Sequence, residues 1–193
     1  MPVQLDVIAF DEIVLIAAEI LLLLILIWLF KRRRSLSVEL QLKSVSRGVI
    51  SNVLIDDGES GEIRLEHIIL LPQEILLLDI RDLRGNVFGS DVMQDWIVIV
   101  GSRWLTFTNP QHALNDRLAA LRSLLPNASV RGLIVFTGRC KIAKSMPSNV
   151  IGLDTLLGEM VKVTAEGPDT PSMLLDSWEK LRNVAVDARK SEE

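Results

Sequence analysis

Hydrophobic and polar positions divide the chain at about residue 30. From Ile13 to Phe30 it reads IVLIAAEILLLLILIWLF, interrupted only by Glu19. A run of about eighteen apolar residues is near the lower limit for a helix that crosses the hydrocarbon core of a bilayer. Lys31-Arg32-Arg33-Arg34 follows it, while Asp6, Asp11 and Glu12 precede it. Basic residues stay on the cytoplasmic side, so residues 1–12 are expected outside and everything after residue 30 inside, at a cell (inner) membrane. Trp28 and Phe30 fall where an interfacial aromatic belt is expected. A cleaved leader would carry its basic residues before the apolar core and a small-residue site after it; here the basic residues come after. Glu19, a turn or two from the outer end, is expected to reach the headgroups or to be protonated, the alternative being a helix–helix contact or a proton path.

Beyond the anchor the periodicity changes. Residues 31–47 read as a basic juxtamembrane connector with a short helix at Val38–Val45. Residues 48–165 read as the main domain, and 166–193 as a terminal helix and tail. Val49–Ile55 and Ile63–Leu71 predict two strands, separated by a turn at Asp56–Gly61, and Glu74–Arg81 predicts a third. Leu71-Pro72-Gln73 is short enough to make the second and third an antiparallel hairpin. Asp82–Gly89 reads as another turn, with Gly85 and Gly89. Trp96–Val100 and Trp104–Phe107 predict a hairpin closed by Gly101-Ser102.

Asn109-Pro110 opens a helix, Asn109 as the cap and Pro110 in the first turn. Leu114, Leu118, Leu121 and Leu125 form its apolar stripe, and Pro126-Asn127 stops it. Val130–Thr137 has the continuous apolar centre of a strand buried on both faces. Asn149–Gly152 suggests a short strand, Asp154–Met160 a short helix, and Pro171–Ala188 a terminal helix with a frayed charged end. Strands first, then helix–strand alternation, predict a mixed α/β domain.

Composition changes this picture in two ways. The formal net charge is −4, which argues against non-specific, charge-driven DNA binding by the whole chain but leaves room for a local basic cleft. A single cysteine, Cys140, and two histidines, His67 and His112, exclude an internal disulfide and any Cys/His zinc spacing. Roughly 160 residues remain after the anchor, enough to bury a core.

Candidate chemistry concentrates between Gly61 and Gly89. Side chains alternate along a strand, so Asp79 and Arg81 share a face with Leu77. If the hairpin turns around Gln73, Glu66 lies across from the Asp79 region. Two carboxylates and a cation then converge, and such a carboxylate pair can hold Mg²⁺, which takes oxygen ligands and polarises a phosphoryl oxygen. The alternative is a solvated charge cluster of Asp79, Arg81, Asp82 and Arg84. His67 reads as a hydrogen-bonded strand residue. Trp96 and Trp104 read as packing residues rather than a base-stacking platform. Cys140, between Arg139 and Lys141, could have a lowered thiol pKa but has no partner base.

The ordered series Leu65-Glu66-His67-Ile68-Ile69, Leu78-Asp79-Ile80-Arg81, Gly85 and Gly89, Asp95-Trp96, Asn109-Pro110 and Leu133-Ile134-Val135-Phe136 resembles the NERD (nuclease-related) domain of the PD-(D/E)xK restriction-endonuclease-like superfamily. The resemblance covers roughly Gly48 to Met160. It implies a restriction-endonuclease-like mixed sheet with flanking helices, and metal-dependent cleavage of nucleic acid with Mg²⁺ or Mn²⁺ held by Glu66 and Asp79.

The pattern departs from the family at each site position. Glu66 stands for its Asp, Asp79 for its Glu and Arg81 for its Lys, so charge is kept and reach is changed. A shift of ~1 Å in a catalytic group can cost on the order of a hundredfold in rate, and a planar guanidinium does not reproduce a compact ammonium. A glutamine expected shortly after Asn-Pro is replaced by Ala113, with Gln111 two residues earlier. Glu39 is the one obvious substitute for the family's upstream acidic helix. Three functions follow: a membrane-tethered nuclease with an altered site, a nuclease-like fold that binds nucleic acid or a partner protein at the membrane without cutting, and a structural adaptor assembled through the anchor.

Overall fold

The computed structural model describes residue 16 and residues 18–26, 38–57 and 61–191. It divides into two units, Met1–Gln41 and Leu42–Glu193. In the first, residue 16 and residues 18–26 are helical, with exposed aliphatic side chains at Ile16, Ile20 and Leu21 to Leu26. Among the described residues no helix is long and apolar enough to cross a membrane. The predicted span 13–30 lies partly outside them, as do residues 31–37 of the connector and residues 58–60 of the first turn. The expected connector helix is present as residues 38–44.

The second unit holds two mixed sheets. The first has five strands in the order β1-β2-β3-β7-β9: β1 (Gly48–Asp56), β2 (Glu62–Leu70), β3 (Ile75–Arg81), β7 (Val130–Phe136) and β9 (Val150–Gly152). The β1–β2 and β2–β3 pairs are antiparallel, as the short Pro72 turn requires, while β7 and β9 join in parallel. The second sheet has four strands in the order β6-β5-β4-β8: β4 (Gly85–Phe88), β5 (Asp95–Val100), β6 (Arg103–Thr108) and β8 (Cys140–Ile142). Three helices complete the unit: α1 (Gln111–Leu124), α2 (Leu153–Glu166) and α3 (Ser172–Ser191).

Alternation along β3 sorts the packing. Ile75 and Leu77 point into a core shared with Leu114, Leu118 and Leu121 of α1 and with Leu174, Trp178 and Leu181 of α3. Leu76 and Leu78 are equally buried but lie outside that cluster, on the other face. Leu133 to Phe136 are all buried, as a central parallel strand demands. Gly132 lets α1 approach β7, since a Cβ there would lie 2.6 Å from Leu118 Cδ1.

Three expectations change. The stretch Asp82–Gly89 contains strand β4 rather than a turn alone. Gly85, at φ +114°, opens it, and a Cβ there would meet Ile99 O at 2.3 Å, so this glycine allows close strand approach. Strand β8 was not anticipated, because three residues carry no period. The helix expected at Asp154–Met160 runs over Leu153–Glu166, its start set by the end of β9.

Candidate functional site

Strand β3 ends with Asp79 and Arg81 on the face that looks toward α1. Asp79 is 4% exposed. Arg81 grips it in a fork: Nε donates to Oδ1 at 2.9 Å and Nη2 to Oδ2 at 3.1 Å. From α1, Arg117 Nη1 donates to Oδ2, also at 3.1 Å. Both carboxylate oxygens are therefore engaged by guanidinium groups. The side chains of Arg81 and Arg117 are 34% and 22% exposed, and of the five N–H donors of a guanidinium Arg81 spends two on Asp79 and Arg117 one. Taken by themselves, Asp79, Arg81 and Arg117 sum to a charge of +1.

Arg117 is the site residue that sequence reasoning missed. Its signal was its place three residues after Leu114 and one before Leu118, on the flank of the buried stripe. Gln111, by contrast, donates to Asp91 Oδ1 at 2.7 Å and Asn149 Oδ1 at 3.2 Å, and binds neither Asp79 nor Arg81.

Glu66 stands in β2. The β2–β3 register ends at His67↔Leu78, and one further step puts Glu66 opposite Asp79. It is half-buried and has no hydrogen bond or ion pair among the described residues. On its other side the β1 register brings Asn52 opposite it, between Ser51↔His67 and Val53↔Leu65. Asn52 has φ +56°, a left-handed conformation that asparagine tolerates better than most residues.

A divalent cation here would need free carboxylate lone pairs and a negative field. Asp79 offers neither while two guanidiniums hold it, and the described residues contain no cluster of three or more His, Cys, Asp or Glu that could hold a metal. As arranged, Glu66 and Asp79 do not fit Mg²⁺ or Mn²⁺. Nor is Asp79–Arg81 a solvated cluster, since the carboxylate is buried.

The remaining candidates resolve individually. His67 Nδ1 lies 3.2 Å from Ser51 Oγ, a cross-strand hydrogen bond. Trp96 is fully buried, donates Nε1–H to Ser90 O at 3.2 Å and meets Phe107 edge-on. Trp104 breaks its expectation: it is 70% exposed and packs into no core. Burial, with the nearby Asp82 charge adding to it, pushes the Cys140 thiol up, opposite to the lowering expected from Arg139 and Lys141.

No match is found among curated proteins or among solved structures. The family model for the nuclease-related domain, NERD, matches residues 30–137, from before β1 to one residue past β7, and so takes in both Asp79–Arg81 and Arg117. The chain belongs to the NERD family of nuclease-related domains.

Proposed function

We propose that this protein is a membrane-anchored nuclease-related domain that holds nucleic acid without hydrolysing it. The observation that carries the reading is the saturation of Asp79: both oxygens bind arginines, and one of those arginines occupies the position where the family's motif has lysine. The fold alone implies no activity. The spare donors of Arg81 and Arg117 suit a phosphate oxygen, which a planar guanidinium binds well. The anchor is supported by the apolar run 13–30 and the basic Lys31–Arg34 after it.

A metal-dependent nuclease using Glu66 and Asp79 is the competing reading. What favours it is Glu66, half-buried and unpartnered opposite Asp79. It requires both arginines to leave Asp79.

The test uses the full chain in detergent, with plasmid and single-stranded DNA and Mg²⁺ or Mn²⁺. The expected result is no cleavage by the parent, and binding that survives chelation of metal and weakens in Arg81→Ala. Metal-dependent cutting that disappears in Asp79→Ala would overturn the reading and establish an enzyme with a modified site.

A further inference from the structure

The four-stranded sheet has one face toward the core and one that no other described element of its own unit covers. Val87, Trp96 and Val98 point inward and are buried. The register defines what points outward. Lys141, Asn86, Ile99 and Trp104 form one row across β8, β4, β5 and β6, and Phe88, Ile97 and Thr106 form the next. Trp104 is 70% exposed and Phe88 40%. Ile97 and Ile99 are half-buried between them. Among the described residues of this unit no helix packs on this face.

The rings sit two strands and two residues apart. At about 4.8 Å between strands and 3.4 Å per residue, that separates them by roughly 12 Å. They are too far apart to share one flat ligand and well placed to take two. Around them stand cations with no hydrogen-bond or ion-pair partner among the described residues. Lys141 lies in the row itself, and Arg84 and Arg139 precede β4 and β8. Asp95, the one acid that the register puts on this face among the described residues, is at the end of β5 away from the β5–β6 turn. A chain of net charge −4 has thus gathered unpaired positive charge at the rim of an aromatic surface.

We infer that this outer face binds single-stranded nucleic acid, Trp104 and Phe88 each stacking on a base while Lys141, Arg84 and Arg139 hold phosphates. Every base has a π-face, so stacking is sequence-tolerant, and only an unpaired strand exposes those faces. Asn86 and Thr106, interleaved between the rings, offer donors and acceptors to base edges, whereas a surface made to sink into lipid would be apolar there. The inference rests on the nucleic-acid part of the proposed function but uses a different surface from Asp79, Arg81 and Arg117.

The experiment titrates full-length protein in detergent against a fluorescein-labelled twenty-mer of oligothymidylate, read by anisotropy. Trp104→Ala and Phe88→Ala are each expected to weaken binding by roughly five- to a hundredfold, and Trp104→Phe to restore most of it. With about three phosphates neutralised, the log–log salt slope should be about −2, shallower in Lys141→Ala. Full affinity in Trp104→Leu, which keeps apolar area and removes the ring, overturns the inference. So does loss of binding in Arg81→Ala with the sheet variants unchanged, although that result leaves nucleic-acid binding at the arginine pair standing. No binding by the parent defeats both nucleic-acid assignments, whatever the cleavage assay gives. A dimer in solution that Trp104→Ala dissociates assigns the face to a second copy of the chain instead.

Discussion

Three hydrogen bonds from two guanidinium groups converge on Asp79, a carboxylate almost wholly withdrawn from water. Withdrawing a charge costs several kcal/mol, and only close, well-oriented partners offset that cost. Arg81 supplies the geometry from the same strand and Arg117 ties the strand to α1. Removing the charge leaves two arginines facing each other, but both still reach solvent, which moderates the penalty. Asp79→Asn is therefore expected to cost about 2 kcal/mol, a fall in Tm of roughly 4–8 °C, read by thermal unfolding of the full chain in detergent. An unchanged Tm would mean that the cluster does not hold the fold together. Two of the three residues of this cluster were legible in the sequence. Asp79 and Arg81 share a face because strands alternate, a local rule. Arg117 was not legible, because the docking of a helix onto a sheet is a long-range fact that no local pattern records. The same holds for Trp104: the alternation put it on a strand, but only the sheet order leaves its face uncovered.

Asn109 does for α1 what Asp79 does for β3, and on a similar principle. It is 2% exposed. Its Oδ1 accepts the Gln111 N–H at 2.9 Å, while its Nδ2 donates to Met93 O at 2.8 Å. Position Pro110 has no side-chain cap of its own, so the cap comes from one residue further back. One amide thereby starts the helix and fixes the loop between β4 and β5. Asn109→Ala loses the cap, about 1 kcal/mol, and strands a carbonyl, about 1–2 kcal/mol more. The expected sum is about 2–3 kcal/mol, visible as a lower urea midpoint with an unchanged slope. Asn109→Asp keeps the acceptor and loses the donor, so it should rescue little; full rescue would mean the cap alone matters. The Asn-Pro signal and the leucine stripe made this helix readable at its start and along its length. Strands β4 and β8 were not readable, since four and three residues show no period and Gly85 resembles a turn residue until Ile99 is seen beside it.

At the scale of the molecule the chain carries two messages of different kinds. Periodicity from residue 48 onward writes a mixed α/β domain, and the family match over residues 30–137 agrees with it. The first thirty or so residues write no domain. The aliphatic side chains of Ile16, Ile20 and Leu21 to Leu26 are exposed, which is unfavourable in water at about 25 cal/mol for each Å² of apolar surface and favourable in hydrocarbon. If that run crosses a bilayer, Lys31–Arg34 sets its direction, because cations at the end of a span resist transfer across a membrane. If residues 13–30 span the bilayer, the full chain should stay with membranes through alkaline carbonate extraction, and deletion of residues 1–34 should release the domain in folded form. In sealed vesicles that keep the cytoplasmic face inside, added protease should leave residues 48–191 intact until detergent is supplied. Release by carbonate would reduce the segment to a peripheral apolar helix. Digestion without detergent would reverse the orientation and place the Asp79–Arg81–Arg117 cluster on the other side from cytoplasmic nucleic acid, a result that would remove the proposed ligand along with the proposed topology.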